Sequence, residues 1–122
     1  MTQQIVLISG ALFGGLAVIF GAFGAHALKK ILSEDLLKSF ETGIKYQMYH
    51  AIVLLFVGSS FSKPNQLMSL AFILGIILFS FSIYGLVLSA AKGKKMKFLG
   101  PITPLGGLLL VAGWIMLLLE FI

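Results

Sequence analysis

At 122 residues the chain has the length of one domain, yet 59% of it is hydrophobic and only 11% charged, with a mean hydropathy of +1.07. Soluble domains are about 45–50% apolar and about 25% charged, and one this small cannot hide so much apolar side chain, so a water-soluble globule is excluded and lipid is the expected solvent. The net charge of +5 comes from nine basic residues that are all lysine, and there is no cysteine; a nucleic-acid reader needing arginine's fork is excluded, as are disulfides and thiolate metal sites.

Four apolar stretches follow in order. The first, residues 5–28, carries no formal charge, and at 1.5 Å per residue it reaches roughly 36 Å, enough to cross a core of about 30 Å with tilt. The small-x-small string Ala25-His26-Ala27 resembles a cleavage site, but no positive segment precedes the stretch, so a retained span is expected and not a signal peptide. One face is lined by Gly10, Gly14, Ala17, Gly21 and Gly24, and a second by Ala11, Gly15, Ala22 and Ala25. Small seams let helix backbones approach closely. Two of them predict that the first helix sits between neighbours, packing within the bundle or, alternatively, against another copy in a homo-oligomer.

The second stretch, residues 46–61, is short, but the segment before it is itself helical in pattern. Leu36, Leu37, Phe40, Ile44 and Met48 share a face, while Lys38, Glu41 and Lys45 occupy another. Ser33 is a plausible N-cap, with Glu34 and Asp35 at the positive end of the helix. One long helix over 34–61 is expected, its first turns outside the membrane or in the interface and its spanning part beginning near 45. Lys63-Pro64-Asn65 then turns the chain into the third stretch, 67–91. The fourth, 103–120, is expected to start with Thr103 as N-cap and Pro104 at the first helical position, where a missing N–H costs little. The fold class is therefore an all-α integral membrane protein, a single domain over 1–122 of four transmembrane helices in a compact bundle. No internal repeat of the inverted-transporter kind is visible.

Lysines set the orientation. The connection 29–45 carries Lys29, Lys30, Lys38 and Lys45, the connection 92–98 carries Lys92, Lys94, Lys95 and Lys97, and the other side has only Lys63. By the positive-inside rule both connections are cytoplasmic and both termini outside. The run Lys92, Lys94, Lys95, Lys97, followed by the start of the last helix, is also a candidate contact for anionic lipid headgroups.

Polar and aromatic groups concentrate in two strings, Gly21-Ala22-Phe23-Gly24-Ala25-His26 and Tyr46-Gln47-Met48-Tyr49-His50, the latter preceded by Glu41-Thr42-Gly43. His26 precedes Lys29 and His50 follows Lys45, so both histidines are expected at one depth on adjacent helices. His26, His50, Glu41, Tyr46, Gln47 and Tyr49 form a candidate polar cluster: intramembrane polar groups suggest function, and two histidines could share or relay a proton. The competing reading is structural, with His50 or Gln47 bonding across to the glycine seam and the tyrosines serving as interfacial belt residues. Two histidines without a third ligand make a poor zinc site, and neither metal nor cofactor is expected.

At these strings the sequence resembles the YwdK/YgdD family of small bacterial membrane proteins, whose molecular function is uncharacterised. The likeness rests on 21–26, on Glu41-Thr42-Gly43 with 46–50, and on 100–107, and it covers essentially the whole chain. It implies a four-helix protein of the bacterial cytoplasmic membrane and supplies no catalytic residue. Three functions are weighed. The leading one is a non-enzymatic protein that supports membrane or envelope integrity or binds a lipid or an unknown protein partner. The alternative is a proton-linked small transporter or channel acting as a homo-oligomer through His26, His50 and Glu41. Third is an intramembrane enzyme, disfavoured because no nucleophile–base pair, carboxylate pair or metal triad falls on span positions.

Overall fold

The computed structural model describes residues 2–122, and among them every regular element is helical. Helix α1 runs over Gln3–His26, α2 over Glu34–Ser60, α3 over Gln66–Ile76, α4 over Ser82–Ala91 and α5 over Ile102–Glu120. A π-helical turn, Ile77–Phe81, carries α3 into α4 without a break, so the two make one rod from Gln66 to Ala91. Short 3-10 turns at Leu28–Lys30 and Lys97–Leu99 lead into α2 and α5.

Local chemistry explains the starts. Thr2, Ser33 and Asn65 each turn a side-chain oxygen onto the N–H three residues on, at 3.2, 3.2 and 3.1 Å, to begin α1, α2 and α3. The last helix departs from the expected cap. It begins at Ile102, with Pro101 in the cap position and no side-chain cap bond. Thr103 lies inside the first turn, and its hydroxyl goes instead to Ser82 at 2.5 Å and to the Leu99 carbonyl at 3.4 Å. The preceding 3-10 turn makes this early start feasible, and Pro104 still sits where its missing N–H costs little.

Three helical stretches are long and apolar enough to cross a membrane, Gln3–Lys30, Gln66–Ala91 and Lys97–Glu120. The remaining rod, α2, is long enough at 27 residues, but the charges of its first turns and then Lys45, Gln47 and His50 leave it less apolar than the other three.

Helix α2 is central. It runs antiparallel to α1, with Gly24 against Phe40, Gly21 against Ile44 and Gly10 against Ala51 and Leu55. Its other side meets the α3–α4 rod, where Gly43 lies against Ile83 and Tyr84. Helix α5 packs antiparallel on α3, with Gly113 against Phe72, Gly75 against Leu110 and Gly106 against the π-turn. The buried positions of α2 (Phe40, Gly43, Gln47, His50, Ala51, Leu54, Val57, Gly58) form one helical stripe. All its charged residues fall outside that stripe.

Within the chain α1 packs on α2 and, through Phe13 and Phe20, on the α3–α4 rod at Phe81 and Tyr84, but only one of its two small-residue seams takes part. Its first seam is packed, with Gly10, Ala17 and Gly24 buried and Gly14 and Gly21 half-buried. The second is bare: Ala11, Gly15, Ala22 and Ala25 are exposed, and a Cβ placed on Gly15 would meet nothing within 4 Å. The helix that could have covered this face, α5, is taken up by α3.

Two apolar clusters fill the interior. One joins Val6, Phe13, Leu54, Met68, Phe72 and Leu110 toward the end that holds the Lys63 turn; the other joins Leu28, Leu32, Phe40, Ile83, Tyr84 and Val87 toward the lysine-bearing connections. Those connections share one end, since α2's first turns and the Lys95–Thr103 segment wall the same cleft. At the opposite end Gln3 donates to the Gly58 carbonyl at 2.7 Å, and the rings of Phe61 and Phe121 lie 6.2 Å apart.

Candidate functional site

Between the two clusters lies a polar layer, and Gln47 is its centre. Its side chain is wholly buried; Nε2 donates to the Phe13 carbonyl of α1 at 2.8 Å, and Oε1 accepts from the Tyr84 hydroxyl of α4 at 2.7 Å. One turn earlier the Ser80 hydroxyl, carried by the π-turn, donates to the Gly43 carbonyl at 2.7 Å. Gly43 has no room for a side chain, because a Cβ there would lie 2.7 Å from the Tyr84 ring. The layer thus ties α2 to α1 on one side and to the α3–α4 rod on the other. An unpaired polar group in this position would cost several kcal/mol away from water, of order 1–3 for a group losing one partner.

His50, 4% exposed, lies one turn further along α2 and faces α5. The Trp114 indole donates to its Nε2 at 3.0 Å, and its Nδ1 lies 2.6 Å from the Tyr46 carbonyl. An indole nitrogen can only donate, so Nε2 is the acceptor, Nδ1 carries the proton and donates to Tyr46, and the ring is neutral. Both nitrogens are used. The rings of Phe72 and Trp114 pack around the imidazole at 6.0 and 5.9 Å, and Tyr46 stacks on it at 6.2 Å.

The expected cluster therefore divides. Gln47 and His50 are buried, with Tyr46 against His50 and Tyr49 against Tyr46. The two tyrosines are 42% and 54% exposed, as residues at the protein's periphery would be. Glu41 is exposed and lines a small cleft with Gly21, Gly24 and Lys45. His26 is exposed at the end of α1.

The expectation that the histidines share one depth gives way to the helix register. His50 is level with the Gly10–Gly14 region of α1, whose glycines contact Ala51. His26 is at least twelve residues further along α1, roughly 18 Å. Counting from the flanking lysines failed because α2 overlaps the last turns of α1 and does not start where α1 ends. Among the described residues no three histidine or acidic side chains gather into a metal-binding group.

Sequence reasoning passed over Ser80, Ser82 and Tyr84. They fall at i, i+2 and i+4 in an otherwise apolar run, and that interruption was the available signal. The bond from Gln47 to the Phe13 carbonyl, one residue before Gly14, agrees with the expectation that Gln47 or His50 bonds across to the glycine seam, although the acceptor, being backbone, could not be named from the sequence.

At the lysine-bearing end, Lys95 and Thr103 line one cleft between α2, α4 and the start of α5, while Lys92 and Lys94 line a second beside Gly85 and Ser89. Lys97 is exposed and opens the 3-10 turn before α5.

Compared with known proteins, residues 20–107 match the family described as "Protein of unknown function (DUF423)". A UPF0382 membrane protein of Staphylococcus aureus (strain bovine RF122 / ET3-1) is 41% identical over 121 residues, covering 97% of this chain and 95% of that protein. The UPF0382 membrane protein YwdK of Bacillus subtilis (strain 168) is 36% identical over 123 residues, covering 97% and 96%. A UPF0382 membrane protein of Haemophilus influenzae is 40% identical over 110 residues, covering 88% and 85%. No solved structure matches significantly.

Proposed function

The chain belongs to the DUF423 family of bacterial membrane proteins, and from that footing we propose that it crosses the cytoplasmic membrane four times and acts there by binding a lipid or protein, not by transport or chemistry. In this reading the whole chain is one transmembrane domain, a compact four-helix bundle in which α2 is the fourth span. Its polar stripe can lie at membrane depth because Gln47 and His50 are turned toward α1, α4 and α5 and away from lipid. The termini face outward and the connections 29–45 and 92–98 face the cytoplasm, as eight lysines against one favour. By binding at the membrane surface the protein supports the integrity of the envelope.

One observation carries this reading: the buried polar side chains are engaged with one another and with backbone carbonyls. A proton carrier needs groups that release one partner and take another, whereas Gln47 holds two helices to α2 and His50 spends both nitrogens. The test is proton flux in proteoliposomes loaded with a pH-sensitive dye. Wild type, His26→Ala and His50→Ala should all leak at the rate of protein-free vesicles. A wild-type flux abolished by either substitution would sink the binding reading and favour the proton-linked transporter.

A further inference from the structure

A cleft of about 420 Å³ opens at the lysine-bearing end between the first turns of α2, the length of α4 and the segment leading into α5. That is within the range of roughly 300–1,000 Å³ of pockets that hold small ligands. Leu36, Ile83, Leu86, Val87 and Ala90 make a continuous apolar wall. Lys95 and the hydroxyl-bearing Ser39, Thr42 and Thr103 supply the polar part of the lining, and no carboxylate belongs to it. The first turn of α5 enters beside Gly100 and Thr103 without a side-chain cap, so the N–H groups of Ile102 and Thr103, which Pro101 and Pro104 leave at this end, add positive potential there. On the other flank of α4, Lys92 and Lys94 line the neighbouring cleft of about 490 Å³, again without a carboxylate.

A free anion would satisfy Lys95 and leave the apolar wall bare; a neutral hydrocarbon would do the reverse. A molecule with a phosphate at one end and an acyl chain at the other suits both. We propose that this cleft binds one anionic phospholipid, its phosphate against Lys95 and the start of α5 and one acyl chain along the Leu36–Ile83–Ala90 wall. The proposal rests on the binding reading above and names its ligand.

The experiment is native mass spectrometry of the full chain released from nanodiscs of mixed phosphatidylglycerol and phosphatidylcholine. One phosphatidylglycerol per chain should survive release. Lys95→Gln should lower that retention about fivefold, as expected for one lysine near a membrane anion. Ala90→Phe, which blocks the acyl wall, should lower it at least as much, while Lys63→Gln at the far end should leave it unchanged. Lys95 lies on an exposed loop, so its substitution leaves the helices intact, and circular dichroism of Ala90→Phe checks that helix α4 persists. Equal retention of phosphatidylcholine, or retention untouched by both cleft variants, overturns the proposal. Displacement of the lipid by millimolar inorganic phosphate also overturns it, in favour of a free-anion site. If flux instead proves to depend on the histidines while lipid retention follows Lys95 and Ala90, the binding reading falls and the lipid site stands.

Discussion

The α1–α2 and α3–α5 seams are both built on glycine, yet they close at different distances. Along α1, the glycines mostly receive side chains. A Cβ on Gly14 would lie 3.7 Å from the Ala51 methyl, one on Gly21 3.8 Å from Ile44, and one on Gly24 3.0 Å from the Phe40 ring. Only Gly10 faces backbone, with the Ala51 carbonyl oxygen at 2.9 Å. On α5 the sequence is less showy, but a Cβ on Gly106 would fall 2.3 Å from the Phe79 nitrogen and 2.5 Å from the Leu78 carbonyl carbon. That is helix backbone pressed on backbone, at the place where the π-turn widens α3. The number of glycines in a run therefore does not predict how closely its helix is approached. The shape of the partner decides.

Substituting Gly106 tests that comparison with the largest effect. Gly106→Ala places a methyl group against main chain that cannot rotate away, so a destabilisation of about 3 kcal/mol is expected, at the upper end for overpacking. Reversible unfolding in mixed micelles should show it, whereas Gly14→Ala on the other seam should shift the midpoint by less than a third as much. Next comes the polar layer that joins the two halves. Gln47→Ala removes the bonds to the Phe13 carbonyl and the Tyr84 hydroxyl together, and about 2 kcal/mol should be lost. Tyr84→Phe removes only one bond of the pair and should cost about 1 kcal/mol. If the two variants were equally destabilised, Gln47 would not be bridging both helices.

Much of the fold was legible, and for identifiable reasons. Hydropathy located three of the helices to within a few residues because long uncharged runs mark them, whereas α2 needed the helical spacing over 36–48 and Ser33, which begins it as a cap because its side chain has a fixed local target. The lysine pattern matches the observed sharing of one end by the two basic connections. The site was harder. Gln47 and His50 stood out as polar residues in an apolar stretch, but what each one bonds depends on the rotation of α2 relative to three neighbours, which no periodicity encodes. The same blindness misplaced His26 and His50 at one depth. Thr103 was read as a cap since nothing in the sequence announces that Ser82 lies opposite it. The π-turn was invisible too, for no residue type in Ile77–Phe81 announces it, and Gly106, which lies against it, is distant in the sequence.

The contact between α2 and α5 offers a finer test, because the bond from Trp114 to His50 is its polar link. Trp114 is the chain's one tryptophan, so its fluorescence reports this corner, where it meets His50 of α2 and Phe72 of α3. The indole is 46% exposed while the imidazole it serves is nearly buried, which makes the histidine the partner that suffers when the bond is lost. Trp114→Phe keeps a ring against Phe72 but removes the donor, and roughly 0.5–1 kcal/mol should be lost, the usual scale for a polar bond between membrane helices. His50→Ala should cost more, since it deletes a buried ring as well, and it should change the emission of Trp114 without unfolding α5. Gly15→Ala is the control at the bottom of the scale. Its Cβ meets nothing, and replacing glycine within a helix should be neutral or stabilising by about 0.5 kcal/mol. A destabilisation of the size seen at Gly106 would mean that the bare face of α1 is covered in the membrane, by a second copy or another protein, and the contrast between the two seams would then extend to a third.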